Sequence, residues 1–152
     1  MKIDLNQIKE LRELTGAGVM DIRRALEESE GDQKKALLIL KKKGAEVAEK
    51  KKVRATGAGL LEAYVHNGGK VVAVVELLCE TDFVARNEEF KALAHEIAMQ
   101  VASMNPKNTE ELLKQEYIRD ASKTITDLVN ELIGKIRENI KINRFQRFEL
   151  GE

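Results

Sequence analysis

With 152 residues, 43% of them apolar and 34% charged, the chain is long enough to bury a sizeable core and too apolar to stay disordered. Its 26 basic side chains balance 26 acidic ones, which excludes a global charge excess as the basis for binding a nucleic acid or an anionic membrane. The single cysteine, Cys79, excludes an internal disulfide and a Cys-x-x-Cys site, and no apolar run approaches the ~20 residues of a membrane span, so we expect a cytoplasmic chain without a bound metal or cofactor.

The first residues read as a capped amphipathic helix rather than a secretory signal. Asp4 and Gln7 form an Asp-x-x-Gln cap, Leu5, Ile8 and Leu11 share one face, and Thr15-Gly16 stops the helix. After Gly16-Ala17-Gly18, a second helix carries Val19, Ile22 and Leu26. Gly31-Asp32 breaks it and caps a third with Ala36, Ile39 and Leu40, expected to end near Gly44. Helices this short need a shared core, so residues 1–45 form a three-helix domain. The basic, helix-permissive stretch that follows reads as a linker over residues 46–56.

The period then changes. Leu61, Ala63 and Val65 alternate with polar neighbours, Asn67-Gly68-Gly69 supplies turn chemistry, and Val71 to Leu78 is a β-branched run, together predicting a β-hairpin. The second strand, apolar at successive positions, is expected to be covered on both faces, and the first to expose Glu62, Tyr64 and His66. From Asn87, an N-cap, the positions Phe90, Leu93, Ala94, Ile97, Ala98 and Val101 predict a helix that Pro106 terminates. The box Thr124-Ile125-Thr126-Asp127 opens another, with Leu128, Val129, Leu132, Ile133 and Ile136 along its stripe. Ile140 to Leu150 alternates as a third strand, with Phe145 out of phase, which implies a bulge or two covered faces. Residues 57–152 therefore make an α+β core with a three-stranded antiparallel sheet packed by helices.

Cys79-Glu80-Thr81-Asp82-Phe83-Val84 lies between the buried strand and the long helix, a position where function concentrates. By residue type alone, Phe83 and Val84 are core and Thr81 or Asp82 a helix cap. Two motifs shift that reading. Leu11-Arg12-Glu13-Leu14-Thr15-Gly16-Ala17-Gly18-Val19-Met20-Asp21 and Thr81-Asp82-Phe83-Val84-Ala85 resemble the two signatures of the elongation factor Ts family. The C-terminal Glu138-Asn139-Ile140-Lys141-Ile142-Asn143-Arg144-Phe145 and Arg147-Phe148-Glu149-Leu150-Gly151-Glu152 resemble further family segments, so the likeness runs end to end.

The resemblance implies a ubiquitin-associated-like (UBA-like) three-helix domain, a linker and an α+β core. It further implies a guanine-nucleotide exchange factor for elongation factor Tu in translation elongation, not an enzyme. Leu11, Val19 and Met20 map onto apolar contacts with the GTPase domain of that partner. Met20, adjacent to Val19 and therefore unable to face the same core, is the best contact candidate of the three. Thr81, Asp82, Phe83 and Val84 map onto the motif that intrudes near the partner's Mg²⁺ site and promotes GDP release. Only one core is present where the long members of the family carry two, so the chain resembles abbreviated members in which two copies associate. An unpaired sheet edge and doubly apolar strands point to a homodimer.

Other candidates weigh less. His66 and His95 have no ligand set beside them, and a Cys-His hydrolase would require Cys79 exposed, with a lowered pKa and a histidine in reach. Lys41-Lys42-Lys43 and Lys50-Lys51-Lys52 lack interleaved aromatics, which disfavours nucleic-acid binding. A phosphate-binding loop of the Walker type is missing, so we expect no nucleotide binding by the chain itself. The alternative reading is a generic interaction module whose three-helix domain binds a ubiquitin-like or helical partner; it leaves Thr81 to Val84 unexplained.

Overall fold

The computed structural model describes residues 3–152. The chain forms two compact units: one runs to Val53 and also takes in Asn130–Arg137, the other joins Arg54–Val129 to Glu138–Glu152.

The first unit holds α1 (Leu5–Thr15), α2 (Val19–Glu28) and α3 (Gln33–Lys51). Leu11, Ile22, Ala25, Leu26, Ala36 and Leu40 form its core, with Ile3, Ile8, Ala17, Leu37 and Ile39 packed around them. Asp4 caps α1 by accepting from the Asn6 N–H, but Gln7 does not close the box; its side chain donates to the Gly31 carbonyl at 3.2 Å. Gly16, at φ 66°, takes the left-handed turn that ends α1 without a Cβ penalty. Asp32 caps α3 through the Lys34 and Lys35 N–H groups.

The expected stop near Gly44 does not occur. Helix α3 continues to Lys51, so most of the stretch read as a linker is helical. One interior glycine costs about 1 kcal/mol, and the Ala, Glu and Lys residues that follow are strong helix formers, with Ala48 buried.

The second unit is built on a three-stranded antiparallel sheet of order β1-β2-β5, from β1 (Ala58–His66), β2 (Val71–Cys79) and β5 (Lys141–Glu149). A 3₁₀ turn at Asn67–Gly69 closes the β1-β2 hairpin as the sequence predicts. Gly59 is required where β1 pairs with β2, since a Cβ there would sit 2.2 Å from the Leu77 carbonyl oxygen. The register of β5 shifts between Glu76 and Leu77, leaving Asn143 as the extra residue. This bulge brings Ile142 and Phe145 to one face and resolves the phase break seen in the sequence.

Helix α5 (Glu88–Met104), capped by Asn87, packs on β1 and β2, with Phe90, Leu93, Ala94, Ile97, Ala98 and Val101 buried. Asn105 ends it one residue before Pro106. Two elements absent from the sequence reading follow: α6 (Thr109–Lys114), and a short hairpin of β3 (Glu116–Tyr117) with β4 (Asp120–Thr124). These strands are too short to display a period, and the hairpin is held by Gln100, a fully buried amide that donates to the Glu116 carbonyl and accepts from the Ile118 N–H. Helix α7 (Ile125–Ile136) opens with the predicted box, in which Asp127 accepts from Thr124 N at 2.9 Å and Thr124 Oγ1 from Asp127 N at 3.2 Å.

The faces of the sheet differ from expectation. On β2, Val71, Ala73, Val75, Leu77 and Cys79 are buried, while Val72, Val74 and Leu78 on the other face are only half-buried. On β1, Glu62 and Tyr64 lie on the helix-covered side, where Glu62 pairs with His95 of α5 at 3.3 Å and the Tyr64 ring packs edge-on to the same imidazole. Leu61, Ala63 and Val65 face outward instead, with Leu61 65% exposed. The polar residues are thus partnered under the helix, and the apolar row is left open.

Candidate functional site

Strand β2 ends at Cys79, and three residues later the chain enters a one-turn helix, α4 (Asp82–Ala85). Thr81 adopts extended backbone and caps α4, its hydroxyl oxygen accepting from the Val84 N–H at 3.5 Å. A single turn can point only part of its surface inward. Val84 and Ala85 are the buried pair, and α4 packs on β1 and β2. Asp82 and Phe83 therefore project outward, and Phe83 is 89% exposed.

The sequence reading that treats Phe83 and Val84 alike is divided by the fold: Val84 anchors the turn while Phe83 stands in solvent. Leaving so large an apolar side chain exposed forgoes roughly 1.5–3 kcal/mol of burial free energy, which makes the position informative.

The approach to the turn is held by residues the sequence reading assigned no role. The Glu138 carboxylate accepts from Glu80 N at 3.1 Å and Thr81 N at 3.0 Å through one oxygen, and from the Thr81 hydroxyl at 2.7 Å through the other. Glu80 answers by accepting from the Asn139 N–H at 2.8 Å, while the Asn139 side chain donates to the Arg54 carbonyl. The Arg54 guanidinium lies 3.6 Å from Glu80. The two carboxylates form a reciprocal clasp between segments 57 to 59 residues apart. Local sequence patterns carry no signal for such a contact; the sole hint is that Glu138 and Asn139 fall in a segment resembling the family.

Cys79 is fully buried beneath this junction, its thiol directed to the Thr81 carbonyl at 3.2 Å. Burial, with the negative charge of Glu138 nearby, pushes its pKa up to about 11. The thiol is protonated at neutral pH. His95 is paired with Glu62, whose sheet position is four residues from Cys79 along the strands, about 13 Å. His66 is farther along and pairs with the Tyr64 hydroxyl at 3.0 Å. A Cys-His nucleophile does not assemble.

In the first unit, Met20 is 61% exposed and Val19 41%, both at the start of α2 after Gly18. Leu11, mapped by resemblance onto the same contact surface, is instead buried among Ile22, Leu26 and Leu40. The inward face of α1 points it into the three-helix core, so it lines no surface. Among the described residues, no group of three or more His, Cys, Asp or Glu is arranged to hold a metal ion, and no helix is long and apolar enough to cross a membrane.

Comparison with known proteins gives the family. The family described as Elongation factor TS matches residues 80–152, which begin at the clasp and run through β5. The curated protein "Elongation factor Ts" of Thermotoga neapolitana is 44% identical, with 100% of this chain and 99% of the relative covered. Relatives of the same name are 42% identical in Caldanaerobacter subterraneus subsp. tengcongensis and 40% identical in Herpetosiphon aurantiacus, with 98% and 99% of their lengths covered. These matches extend over 195 or 196 positions against 152 residues of chain, so the relatives carry residues within the matched span that this chain lacks. An α+β chain matched from end to end by elongation factors falls in the class of translation elongation factors. This chain belongs to the elongation factor Ts family.

Proposed function

We propose that the chain is a non-enzymatic guanine-nucleotide exchange factor for elongation factor Tu, binding its GDP form and promoting GDP release by disturbing the Mg²⁺ site. The observation that carries this reading is Phe83, exposed beside Asp82 on a turn that Thr81, Val84 and Ala85 anchor. Mg²⁺ requires near-octahedral oxygen geometry and bridges the nucleotide phosphates, so a rigid wedge that shifts the metal's surroundings weakens metal and nucleotide together. Val19 and Met20 supply a second apolar contact, while Leu11 belongs to the core of the same three-helix domain. The generic interaction-module reading gives no role to the exposed Phe83.

The test is stopped-flow release of fluorescent GDP from elongation factor Tu, with and without this protein, across a Mg²⁺ titration. The expected result is a large acceleration that diminishes as Mg²⁺ rises; no acceleration with a cognate partner returns the chain to the interaction-module reading. Because coupling of affinities is reciprocal, a factor that lowers GDP affinity is itself bound less tightly when GDP is present, and a thousandfold acceleration of release corresponds to roughly 4 kcal/mol of barrier lowering.

The same reading includes a homodimer formed through the sheet of the second unit, acting in the cytoplasm without nucleic acid. Leu61, Ala63, Val65 and Phe148 are exposed on the open face, flanking the half-buried Val72, Val74 and Leu78. An exposed apolar row of this kind marks an interaction surface, and a second copy of the chain related by a two-fold axis presents the same row to cover it. Light scattering at micromolar concentration is expected to give twice the 17.1 kDa chain mass; a monomeric mass overturns the dimer.

A further inference from the structure

We infer that Glu138 is a positioning residue for the exposed Asp82-Phe83 turn, acting through the hydroxyl of Thr81. The inference rests on the reading of Thr81 to Val84 as the partner-binding motif and adds to it a residue from the far end of the chain.

A threonine hydroxyl has one proton to donate and lone pairs to accept with. At Thr81 the proton goes to Glu138 Oε2 at 2.7 Å, and the oxygen accepts from Val84 N at 3.5 Å. Because the proton is committed to a carboxylate, the lone pairs are held toward the first turn of α4. The other oxygen of Glu138 fixes the backbone N–H groups of Glu80 and Thr81, so one carboxylate sets both the entry of the chain and the rotor that caps the turn.

A four-residue helix has almost no intrinsic stability, since nucleation is not offset by propagation. Its geometry therefore depends on the cap and on the burial of Val84 and Ala85, and the exposed Phe83 inherits whatever direction they impose. A wedge helps a partner's transition only if its direction is settled beforehand, because ordering it on contact subtracts from the coupling.

The substitution Glu138→Gln tests this with nearly the same volume. A glutamine oxygen can still accept from the two N–H groups, but its amide nitrogen donates toward the Thr81 oxygen and competes with Val84 for the lone pairs. In the 152-residue chain, Glu138→Gln is expected to reduce acceleration of GDP release from elongation factor Tu about tenfold, and less than about twofold in a Phe83→Ala background. Amide hydrogen exchange at Val84 in the free protein is expected to quicken about tenfold, with Val75 in β2 unchanged. Should Glu138→Gln not fold, Thr81→Val removes the same cap from the other side and carries the same expectation.

Wild-type acceleration by Glu138→Gln, with Phe83→Ala impaired, overturns the positioning role and leaves the motif standing. Equal losses in both backgrounds overturn it as well, because Glu138 would then act elsewhere. Undiminished exchange by Phe83→Ala alone instead overturns the motif reading, and with it the role of Glu138.

Discussion

Phe83→Ala is expected to lower the acceleration of GDP release from elongation factor Tu by about thirtyfold or more, equivalent to about 2 kcal/mol of coupling, while leaving stability within about 0.5 kcal/mol of wild type. The two halves of this expectation have one origin. At 89% exposure the ring contributes little to the folded chain, so its removal opens no cavity. An aromatic side chain displayed on a rigid turn is instead suited to fill a partner's pocket, where truncation removes area and leaves the pocket unfilled. Stopped-flow release measured alongside urea denaturation separates the two effects. Unchanged exchange removes Phe83 from the site, and a large loss of stability would mean that the ring is packed.

Phe90→Ala is expected to do the opposite, costing about 3–5 kcal/mol of stability. Phe90 is 0% exposed, the largest of the fully buried side chains, on the face of α5 that packs against the sheet. A cost of this size approaches the whole stability of many small proteins, so the urea midpoint should fall steeply or the chain should fail to accumulate. A change under about 1 kcal/mol would mean that the site collapses around the cavity. The two phenylalanines stand seven residues apart on either side of the Asn87 cap, yet their substitutions are expected to separate function from stability.

The elements themselves were legible where the information is local. The Asn87 and Asp32 caps, the Thr124-Asp127 box, the stripe from Phe90 to Val101 and the Asn67-Gly69 turn each lie within a few residues of chain, and each appears as read. The α+β class follows from the change of period between the three-helix segment and the hairpin. The motif resemblance located Thr81 to Val84 without knowing which of its side chains faces solvent.

Tertiary structure decided the rest, because local pattern does not specify which face another element will cover. On β1 the alternation of Leu61, Ala63 and Val65 with Glu62 and Tyr64 was plain, but the helix lies on the polar side, where His95 satisfies Glu62. Helix α3 passes Gly44 because its later turns bury Ala48, a contact that propensity near the glycine does not contain. Leu11 and Phe83 both belong to family-like motifs, yet three-helix packing buries the first and a one-turn helix exposes the second. The Glu138 clasp is the furthest from sequence: its partners are 57 and 58 residues away, and only folding brings the carboxylate to the amides it orders. The sequence by itself determined the periods, caps, turn and family; the fold determined which faces are covered, since burial and long-range hydrogen bonding depend on where other segments come to rest.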